Sequence, residues 1–431
     1  MPKIKNSSEL GTTLLRKTAL AVAEAGLLAI DTKSVIEKNI KVEGDSVIVG
    51  GVPFKTGVKG RVCLVGVGKC SAEAALAAEK ILGDKLFGGI VLDVREPEQI
   101  GAKVKYYGGT HPFPSQKNTE VAKEIADFLK KLDENDFVIF IISGGGSTLL
   151  CLPSEGNTCV EEEVILKQLF AVGATIQEIN TIRKHISGAR GGGLAKFAYP
   201  ARSVALIFSD VPGNDLSFIA SGPTVKDETT VKDAANILAK YKILESCKLT
   251  GCGLEETPKE DKYFEKVTNI LAVSNLLALE AMQSEAKKLG FEPKIVTDRI
   301  EGEAREVGQN VMETLHKEEK RICLLYGGET TVTVDKKGRG GRLGELALSG
   351  LRYVEEGEIL AAVASDGRDN CEYAGAVIDV SGRKKAEELN LNIEEHLTNH
   401  DPVPFFEQTG DYIMTGHTGS NVSDLLIAIK E

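Results

Sequence analysis

The sequence predicts an α/β protein with a largely parallel sheet and two domains. From residue 60 onward, short apolar runs of strand length alternate with longer amphipathic segments of helix length. Glycine-rich segments follow several of the apolar runs. In open α/β sheets, ligands bind at the carboxyl ends of the strands, which is where these segments are predicted to lie. At 431 residues the chain is too long for one ordinary hydrophobic core, which favours two domains.

The first part of the chain contains a series of alternating strands and helices. The predicted strands are residues 61–66, 89–94, 136–142 and 203–208. The predicted helices are residues 71–82, 117–132, 162–169, 176–186 and 231–241. An apolar segment at 19–30, interrupted by Glu24, predicts an amphipathic helix ahead of this series.

A polar segment at residues 246–265, rich in Glu, Lys, Gly and Pro, predicts a linker. It divides the chain into an N-terminal domain, 1–245, and a C-terminal domain, 266–431. In the second domain we expect strands at 269–273, 294–296, 322–326, 359–364, 375–380 and 425–429. We expect its helices at 276–288, 303–316 and 343–354, with a hairpin around 330–334.

Composition excludes several classes of protein. The 52 Lys and Arg against 63 Asp and Glu give a net charge of −11, which disfavours a nucleic-acid partner. The eight cysteines show no zinc-like spacing, so free thiols in a reducing compartment are expected. The sequence has neither a secretory leader pattern nor an apolar run long enough to span a membrane, so the predicted location is cytoplasmic.

Known nucleotide-binding motifs are incomplete in this chain. There is no phosphate-binding loop of the G-x-x-x-x-G-K-[ST] type. Gly66 and Gly68 follow a predicted strand, as in a dinucleotide-binding turn, but Ser71 stands at the third glycine position. A nicotinamide-dependent oxidoreductase therefore stays an alternative, although the dinucleotide-binding motif that it would need is incomplete in this chain.

The clearest candidate site is a glycine loop after the predicted strand 136–142. It consists of Ser143, Gly144, Gly145, Gly146 and Ser147. Three successive glycines let backbone N–H groups point into one concavity, which is how such nests bind phosphate or carboxylate. The alternative is a tight turn without a ligand.

A second group of polar residues follows between positions 180 and 215. Candidate phosphate- or substrate-binding residues there are Asn180, Arg183, Lys184, Arg190 and Gly192. Each basic residue alone could equally belong to a solvated helix face. Asp210 ends a predicted strand and Asp215 follows shortly, so either could bind Mg²⁺ or act as a general base. The alternative for each is a helix cap or a turn.

The second half of the chain carries further glycine-flanked polar blocks after predicted strands. They contain Glu329, Arg342, Asp366 and Asn421. Polar blocks of this kind in both halves favour a site built from two domains. For His111, which lies in a predicted loop, a structural role is the expectation.

Seven separated segments together resemble the glycerate 2-kinase family, whose C-terminal portion is called the MOFRL domain. The matching segments are 65–69, 143–147, 181–195, 209–213, 219–224, 327–331 and 340–342. They occur in the family's order and cover nearly the whole chain.

The resemblance implies a fold, a reaction and a set of roles. It implies a larger, Rossmann-like, three-layer N-terminal domain, a smaller α/β MOFRL-like domain and an active site in the cleft. The implied reaction transfers the γ-phosphoryl of ATP to the 2-hydroxyl of D-glycerate, with Mg²⁺. Lys69 and Arg342 are the implied functional pair, one from each domain. On this hypothesis Lys69 contacts the transferred phosphoryl and Arg342 steadies its charge. Asp210, with Asp215 as substitute, binds Mg²⁺ or takes the hydroxyl proton, and Asp366 contacts nucleotide or metal.

Several positions depart from the family pattern. The family has Thr-Asp-Gly-x-Asp-Gly where this chain has residues 365–370, and it has a proline at the position of His417. It also has an asparagine at the position of Leu343, and often an acid at that of Asn214. The acceptor could therefore be another short hydroxy acid.

Two different functions stay open beside the kinase. One is an NAD(P)H-dependent hydroxypyruvate reductase, a label carried by some relatives, although the incomplete dinucleotide motif disfavours it. The second is a non-catalytic sugar-acid sensor, which would not need the charged residues Lys69, Arg342 and Asp210 that this chain retains. A homodimer also stays open.

Overall fold

The computed structural model describes residues 2–55, 60–98, 100–154, 158–211, 213–247, 249, 253–319 and 321–431. The chain forms two compact units. Unit 1 comprises Met1–Ser34 and Val273–Glu431, and unit 2 comprises Val35–Ala272. Both units contain strands and helices, which confirms the predicted α/β class.

The strands and helices are numbered in chain order. The strands are β1 (Ile40–Glu43), β2 (Ser46–Val49), β3 (Val52–Lys55), β4 (Val62–Val67), β5 (Leu86–Asp93), β6 (Val104–Gly108), β7 (Phe137–Ile142), β8 (Arg202–Phe208), β9 (Val267–Val273), β10 (Glu292–Ile300), β11 (Ile322–Gly328), β12 (Glu358–Ala364), β13 (Gly375–Asp379), β14 (Tyr412–Ile413) and β15 (Asp424–Lys430). The helices are α1 (Ser7–Leu10), α2 (Leu14–Ala29), α3 (Thr32–Asn39), α4 (Ser71–Leu82), α5 (Gln116–Leu129), α6 (Gly146–Leu149), α7 (Cys159–Ala171), α8 (Ile176–His185), α9 (Gly193–Ala198), α10 (Val231–Lys240), α11 (Ile243–Cys247), α12 (Asn275–Lys288), α13 (Ala304–His316), α14 (Arg342–Leu351), α15 (Val380–Glu388), α16 (Ile393–Thr398) and α17 (Pro402–Thr409).

Unit 2 is built on a six-stranded sheet in the order β6-β5-β4-β7-β8-β9. The pairs β5–β6, β4–β5, β4–β7 and β7–β8 are parallel. Every residue of β4 and β7 is buried, as expected for central strands covered on both faces. Alternate residues of β4 pack with α5 and α9 in one core cluster, whereas α4 packs against β4 and β5 outside that cluster. Unit 2 therefore has three layers.

Unit 2 also contains strands that the sequence patterns did not predict. Strands β1, β2 and β3 form a small antiparallel sheet, with Ile40 opposite Val49 and Val49 opposite Val52. Strand β6 pairs in parallel with β5 at the edge of the main sheet. These strands are short and partly exposed, so they lack the continuous apolar run that marked the central strands.

Unit 1 is built on a second six-stranded sheet in the order β10-β11-β15-β12-β13-β14. Only the β10–β11 pair among the described pairs is parallel. The last strand, β15, lies between β11 and β12 and is antiparallel to both. The strands β12, β13 and β14 continue the sheet as antiparallel neighbours. The expectation of a largely parallel sheet thus applies to unit 2 and is wrong for unit 1.

The N-terminal helix α2 is part of unit 1. It packs against α12, and a side chain added at Gly26 would meet Met282 Sδ at 2.7 Å. Arg16 of α2 is only 4% exposed and forms ion pairs of 2.7 Å with Asp379 and Asp411. The sequence predicted an amphipathic helix here, but local periodicity does not show that this helix packs against α12.

The units divide the chain differently from the predicted boundaries of 1–245 and 266–431. Residues 1–34 belong to unit 1, and the segment predicted as a linker, 246–265, lies inside unit 2. Its described part is tied to the unit, since the Glu255 N–H donates to the His185 carbonyl at 2.8 Å. Residues 248 and 250–252 of that segment lie outside the described residues. The hairpin predicted around 330–334 is also replaced, because Thr331 makes a single isolated bridge with Glu303.

Candidate active site

Three polar segments meet at one edge of the unit 2 sheet. Strands β4, β7 and β8 are parallel neighbours, so Lys69, the loop 143–147 and Asp210 follow their carboxyl ends side by side. The Lys69 N–H donates to the Gly144 carbonyl at 2.9 Å, which joins the first two segments. We call Lys69, residues 143–147 and Asp210 the glycine-loop edge.

The glycines of this loop let neighbouring side chains approach the backbone. A Cβ atom at Gly144 would lie 1.8 Å from Asp210 Oδ2. Gly145 has a left-handed backbone, with φ of 81°, and a Cβ there would lie 3.2 Å from Lys69 Cγ and 3.4 Å from His111 Cδ2. Lysine, carboxylate and imidazole therefore line one short stretch of backbone.

The loop presents backbone donors without protein acceptors. Within the part of the chain that the structure describes, the N–H groups of Gly144 and Gly145 donate to no acceptor, although Gly144 is buried. Buried amides are normally satisfied, so these two are suited to an external oxyanion.

The two serines of the loop have a supporting role. Ser143 is 3% exposed, and its Oγ accepts from the Cys70 N–H at 3.3 Å. Ser147 Oγ accepts from Ser221 Oγ at 2.9 Å, which fixes the far side of the loop. Ser221 lies in one of the family-like segments, but the sequence alone did not reveal its partner.

The glycine-loop edge carries positive groups that lack a paired carboxylate. Lys69 is exposed, Arg183 of α8 is half-buried, and neither forms an ion pair among the described residues. Burial, followed by the positive charge of Arg190, lowers the pKa of Arg183 to about 10. Burial also lowers the pKa of His111, and the charges of Lys69 and Arg183 add to this effect. The His111 imidazole is therefore close enough to both cations for their charges to act on it.

Lys184, predicted to bind phosphate, is placed in a buried ion pair instead. Its Nζ lies 3.0 Å from Asp227 Oδ1, and both side chains are almost fully buried. Asp227 also accepts from Thr229 and Thr257. The ammonium is neutralised within unit 2, an arrangement typical of a structural ion pair, and its role in phosphate binding stays a prediction.

Arg190, Gly192 and Asn180 are likewise engaged inside unit 2. The Arg190 guanidinium is 1% exposed and pairs with Glu162 at 2.6 Å. The Gly192 N–H donates to the Gly222 carbonyl at 2.8 Å. The Asn180 side chain is buried and donates to the Ser217 carbonyl at 3.2 Å. Of the basic residues in the predicted second anion site, Arg183 alone is left without a carboxylate partner in the described ranges.

The two aspartates after β8 differ in position. Asp210 is half-buried and its carboxylate lies against Gly144. Asp215 is exposed and accepts from the Ser217 N–H at 2.8 Å, which makes it a turn former. Asp210 is therefore the better placed of the two for metal or proton chemistry.

Arg342 lies at a corresponding edge of the unit 1 sheet, at the first residue of α14. Its Nε and Nη2 donate to the two carboxylate oxygens of Asp424 at 2.5 and 3.0 Å. Its Nη1 lies 2.8 Å from Glu329 Oε1. Asp424 begins β15 and stands opposite both Gly328 and Ala364, the last residues of β11 and β12.

Asp369 completes this cluster. Its carboxylate accepts from the N–H groups of Leu343 at 3.0 Å and Gly344 at 2.7 Å, so it caps the N-terminus of α14. Burial raises the pKa of Asp369 and of Asp424, while the neighbouring Arg342 opposes the increase. We call Arg342, Glu329, Asp369 and Asp424 the arginine edge.

The remaining predicted residues of unit 1 form local turns. Asp366 accepts from the Arg368 N–H at 3.0 Å, and Asn421 accepts from the Ser423 N–H at 3.1 Å. Sequence reasoning missed Asp424. An acid directly before a buried strand was the available signal, but the antiparallel insertion of β15 was needed to place it beside Arg342.

One other cluster in unit 1 has metal-like geometry. Atoms of His316, Glu355 and Glu358 lie within 4.8 Å of one another. The Glu358 carboxylate already contacts His316 Nε2 at 3.0 Å, and Lys430 Nζ lies 3.8 Å from it. The basic groups of His316 and Lys430 therefore compensate the negative charge of the Glu358 carboxylate.

Comparisons with known proteins agree with this architecture. Residues 18–250 match the family described as "Domain of unknown function (DUF4147)", and residues 322–424 match the MOFRL family. A glycerate 2-kinase of Pyrococcus horikoshii is 38% identical, over 96% of this chain and 97% of that protein. A D-glycerate 2-kinase of Thermotoga maritima is 36% identical, over 86% and 90%. A putative hydroxypyruvate reductase of Agrobacterium vitis is 37% identical, over 88% and 89%.

Solved structures give the same result. A crystal structure of a Pyrococcus horikoshii protein has a TM-score of 0.86 at 36% identity, covering 97% of this chain and 99% of that one. The Thermotoga maritima glycerate kinase has a TM-score of 0.85 at 32% identity, with the same coverage. The fold and these relatives define a two-unit α/β phosphotransferase with an alcohol group as acceptor. The chain belongs to the glycerate 2-kinase family, which confirms the prediction from its motifs.

Proposed function

We propose that this protein transfers the γ-phosphoryl group of ATP to the 2-hydroxyl of D-glycerate, giving 2-phosphoglycerate. The observation that carries the proposal is the glycine-loop edge, where the amides of Gly144 and Gly145 and the side chain of Lys69 have no partner among the described residues. Phosphoryl transfer depends mainly on positioning and on neutralising charge at the transferred group. The relatives named as glycerate 2-kinases support the choice of acceptor and of position.

The glycine-loop edge supplies the groups for this reaction. The amides of Gly144 and Gly145 hold an oxyanion, and Lys69 neutralises charge on the transferred phosphoryl. Asp210, whose carboxylate lies against Gly144, binds the metal or accepts the proton of the attacking hydroxyl.

Mg²⁺ fits the donor chemistry of this edge. Asp210 offers a hard carboxylate beside the loop amides, and Mg²⁺ is usually held by one or two carboxylates together with substrate phosphates. When bound, the ion would neutralise charge on the phosphate oxygens. We leave Asp215 and Asp366 out of the metal site, because each accepts a hydrogen bond within its own turn.

Arg342 is the second cation that we assign to the reaction. Asp424 uses two of the five N–H donors of the guanidinium, so further donors can contact a substrate oxygen. The bidentate contact also fixes the plane of the guanidinium. Asp424 is thus a positioning residue that acts through Arg342.

Hydroxypyruvate reduction is the second candidate, and it has a structural argument against it. A dinucleotide pyrophosphate would need the N-terminus of α4, after Gly66 and Gly68. There the buried carboxylate of Asp93 accepts from the Ala72 N–H at 2.9 Å. A negative charge thus already occupies the amide that an incoming pyrophosphate would require.

An ADP-release assay tests the proposal. Purified protein with ATP and Mg²⁺ is offered D-glycerate, L-glycerate and other short hydroxy acids, and NMR identifies the phosphorylated carbon. Turnover of D-glycerate to the 2-phosphate is expected. NADH oxidation with hydroxypyruvate, in the absence of ADP release with any hydroxy acid, would overturn the kinase assignment.

We infer a cytoplasmic location from the cysteines. All seven in the described residues are free, and five are buried. Free thiols are typical of reducing compartments. No helix in the described ranges is both long and apolar enough to cross a membrane. The absence of a nucleic-acid partner and the homodimer stay predictions.

A further inference from the structure

The loop that carries His111 is fastened to the glycine loop. Asn118 is fully buried; its Oδ1 accepts from the Thr110 N–H at 2.9 Å, and its Nδ2 donates to the Thr148 carbonyl at 3.2 Å. Thr148 belongs to α6, directly after the loop 143–147, and its Oγ1 donates to the Pro112 carbonyl at 3.0 Å. The residues on both sides of His111 are thus anchored to the end of the glycine loop.

This anchoring brings the His111 ring to the same glycine as Lys69. An ideal Cβ position at Gly145 lies 3.4 Å from both His111 Cδ2 and Lys69 Cε. Arg183 lies near enough for its charge to act on the imidazole. The side chains of Lys69 and His111 therefore lie beside Gly145, and Arg183 is close enough for its charge to act on the imidazole.

The carboxylate of Asp210 lies close to this cluster, against Gly144. Among the residues that the structure describes, Lys69, His111 and Arg183 have no ion-pair partner. Lys69 and Arg183 carry charges of the same sign, and an oxyanion placed between them and His111 would compensate those charges. Side chains that served only packing would have no reason to converge in this way.

We propose that His111 is a third side-chain contact of this oxyanion site, and that ligand binding carries a proton from solvent onto its imidazole. The proposal rests on the function proposed above and deepens it, since Lys69 and the loop amides belong to that site. Imidazolium adds one charge-assisted hydrogen bond to those of Lys69 and Arg183. The proton leaves hydronium or a buffer acid in solvent and forms an N–H bond on the imidazole, and no other bond changes in this step.

The pH dependence follows from the charges. Burial, with Lys69 and Arg183, holds the pKa of the free His111 below its ordinary 6.5, and an adjacent oxyanion raises it. Protons are therefore taken up on binding. Affinity increases as pH falls through the pKa of the bound state, and it levels off below the pKa of the free state.

Two substrate groups share this chemistry, the phosphate chain of ATP and the carboxylate of glycerate. Isothermal titration calorimetry with a non-hydrolysable ATP analogue and Mg²⁺, and separately with D-glycerate, distinguishes them. Titrations between about pH 5.5 and 8.5, on either side of the ordinary histidine pKa, in two buffers of different ionisation enthalpy measure the protons taken up. The ligand whose binding takes up a proton identifies the group at His111.

Variants separate the imidazole from its surroundings. His111→Ala is expected to weaken that ligand about tenfold at about pH 6, the loss of one hydrogen bond to a charged group. His111→Gln keeps a donor but cannot titrate, so it should retain part of the affinity and lose the proton uptake. His396→Gln, on α16 of unit 1, is the matched control. Thermal unfolding of each variant checks that the fold is intact.

The outcomes distinguish failure of this inference from failure of the kinase proposal on which it rests. If both His111 variants bind and take up protons as the unmodified protein does, while Lys69→Ala does not bind, the inference fails and the kinase proposal stands. If the unmodified protein binds neither ligand, the kinase proposal itself fails. Proton uptake that disappears in His111→Gln but persists in His396→Gln supports the inference.

Discussion

The glycine-loop edge and the arginine edge treat positive charge in opposite ways. In unit 2, Lys69 and Arg183 have no ion-pair partner among the described residues, and the amides beside Lys69 are unsatisfied. In unit 1, Arg342 is held by Asp424 and by Glu329. The glycine-loop edge is therefore suited to binding an anion, whereas the cation of the arginine edge is already oriented by acids.

On the function proposed above, the two edges would contribute to phosphoryl transfer in different ways. An exposed cation without a partner can offer its full charge to an anion, and removing it costs the fold little. A cation fixed by a buried acid is stable and well oriented, but it gives a new ligand less net charge. Substitutions at the two edges should therefore affect activity and stability in different proportions.

The largest effect on activity is expected at Lys69. Lys69→Ala should lower kcat/KM for glycerate phosphorylation about 10³-fold, since it removes the charge that faces the phosphoryl group. The thermal unfolding midpoint should change little, because Lys69 is exposed and makes no ion pair in the described ranges. ADP-release kinetics and calorimetry measure the two quantities.

Lys117→Ala is the matched control, since Lys117 is an exposed lysine of α5 whose partner is Glu96. It should leave kcat/KM within about twofold, as for an ordinary surface ion pair. Near-normal turnover in Lys69→Ala would remove the glycine-loop edge from the mechanism.

Arg342→Ala should affect activity and stability together. Activity is expected to fall by about 10². The free energy of unfolding should also fall by about 2 kcal/mol, because Asp424, only 2% exposed, loses its partner. Adding Asp424→Asn to Arg342→Ala should recover part of that stability without activity, which denaturant titration of both variants measures. A stable Arg342→Ala would show that Asp424 is not left uncompensated.

Gly144→Ala tests the approach of Asp210 to the loop. The new Cβ would lie 1.8 Å from Asp210 Oδ2, so the carboxylate must move away. We expect activity to fall by about tenfold and the Mg²⁺ concentration for half-maximal rate to increase. At Gly188 a Cβ meets nothing closer than 3.8 Å, so Gly188→Ala is the control. Equal rates and equal Mg²⁺ dependence in the two variants would contradict the role of Asp210.

Lys184→Met should have the smallest effect on turnover. The folded fraction should keep kcat within about threefold, because the Lys184 ammonium is buried and paired with Asp227. The free energy of unfolding should fall by about 3 kcal/mol, as for a buried pair that loses one partner. A loss of kcat comparable to that of Lys69→Ala would return Lys184 to the phosphate site.

The ion pair of Lys184 and Asp227 also makes the free energy of unfolding depend on pH. Burial opposes ionisation of Asp227, but Lys184 and Thr229 hold its pKa below the ordinary value. Its contribution to stability is therefore complete above about pH 4, the pKa in the unfolded chain, and is lost as pH falls through the folded-state pKa. Unfolding at about pH 3 and about pH 7 should show this loss, and Lys184→Met should reduce it.

Local patterns predicted the centre of unit 2 well. The runs at 136–142 and 203–208 became β7 and β8, and the glycine loop follows β7 as expected. Buried parallel strands have continuous apolar sequences, so they are visible without knowledge of their partners. The short strands β1–β3 and β6 lack this signal.

Long-range pairing limited the prediction of the sites. Arg183 and Lys184 are adjacent basic residues of α8, yet among the described residues only Lys184 pairs with a carboxylate, that of Asp227 from a distant segment. The role of Asp424 depends on the insertion of β15 between β11 and β12. A local pattern identifies which residue types can bind an anion, whereas the distant acids decide which of them remain available.

The discontinuity of unit 1 has a consequence for the order of folding. Unit 2 is one uninterrupted stretch of chain, so all of its sheet is present once residue 272 has left the ribosome. Helix α2 is made first, but its partner α12 and the acids Asp379 and Asp411 come much later. During synthesis the apolar face of α2 therefore stays without its packing partner until α12 has been made. Because a long intervening segment must be closed, we expect unit 1 to fold more slowly than unit 2.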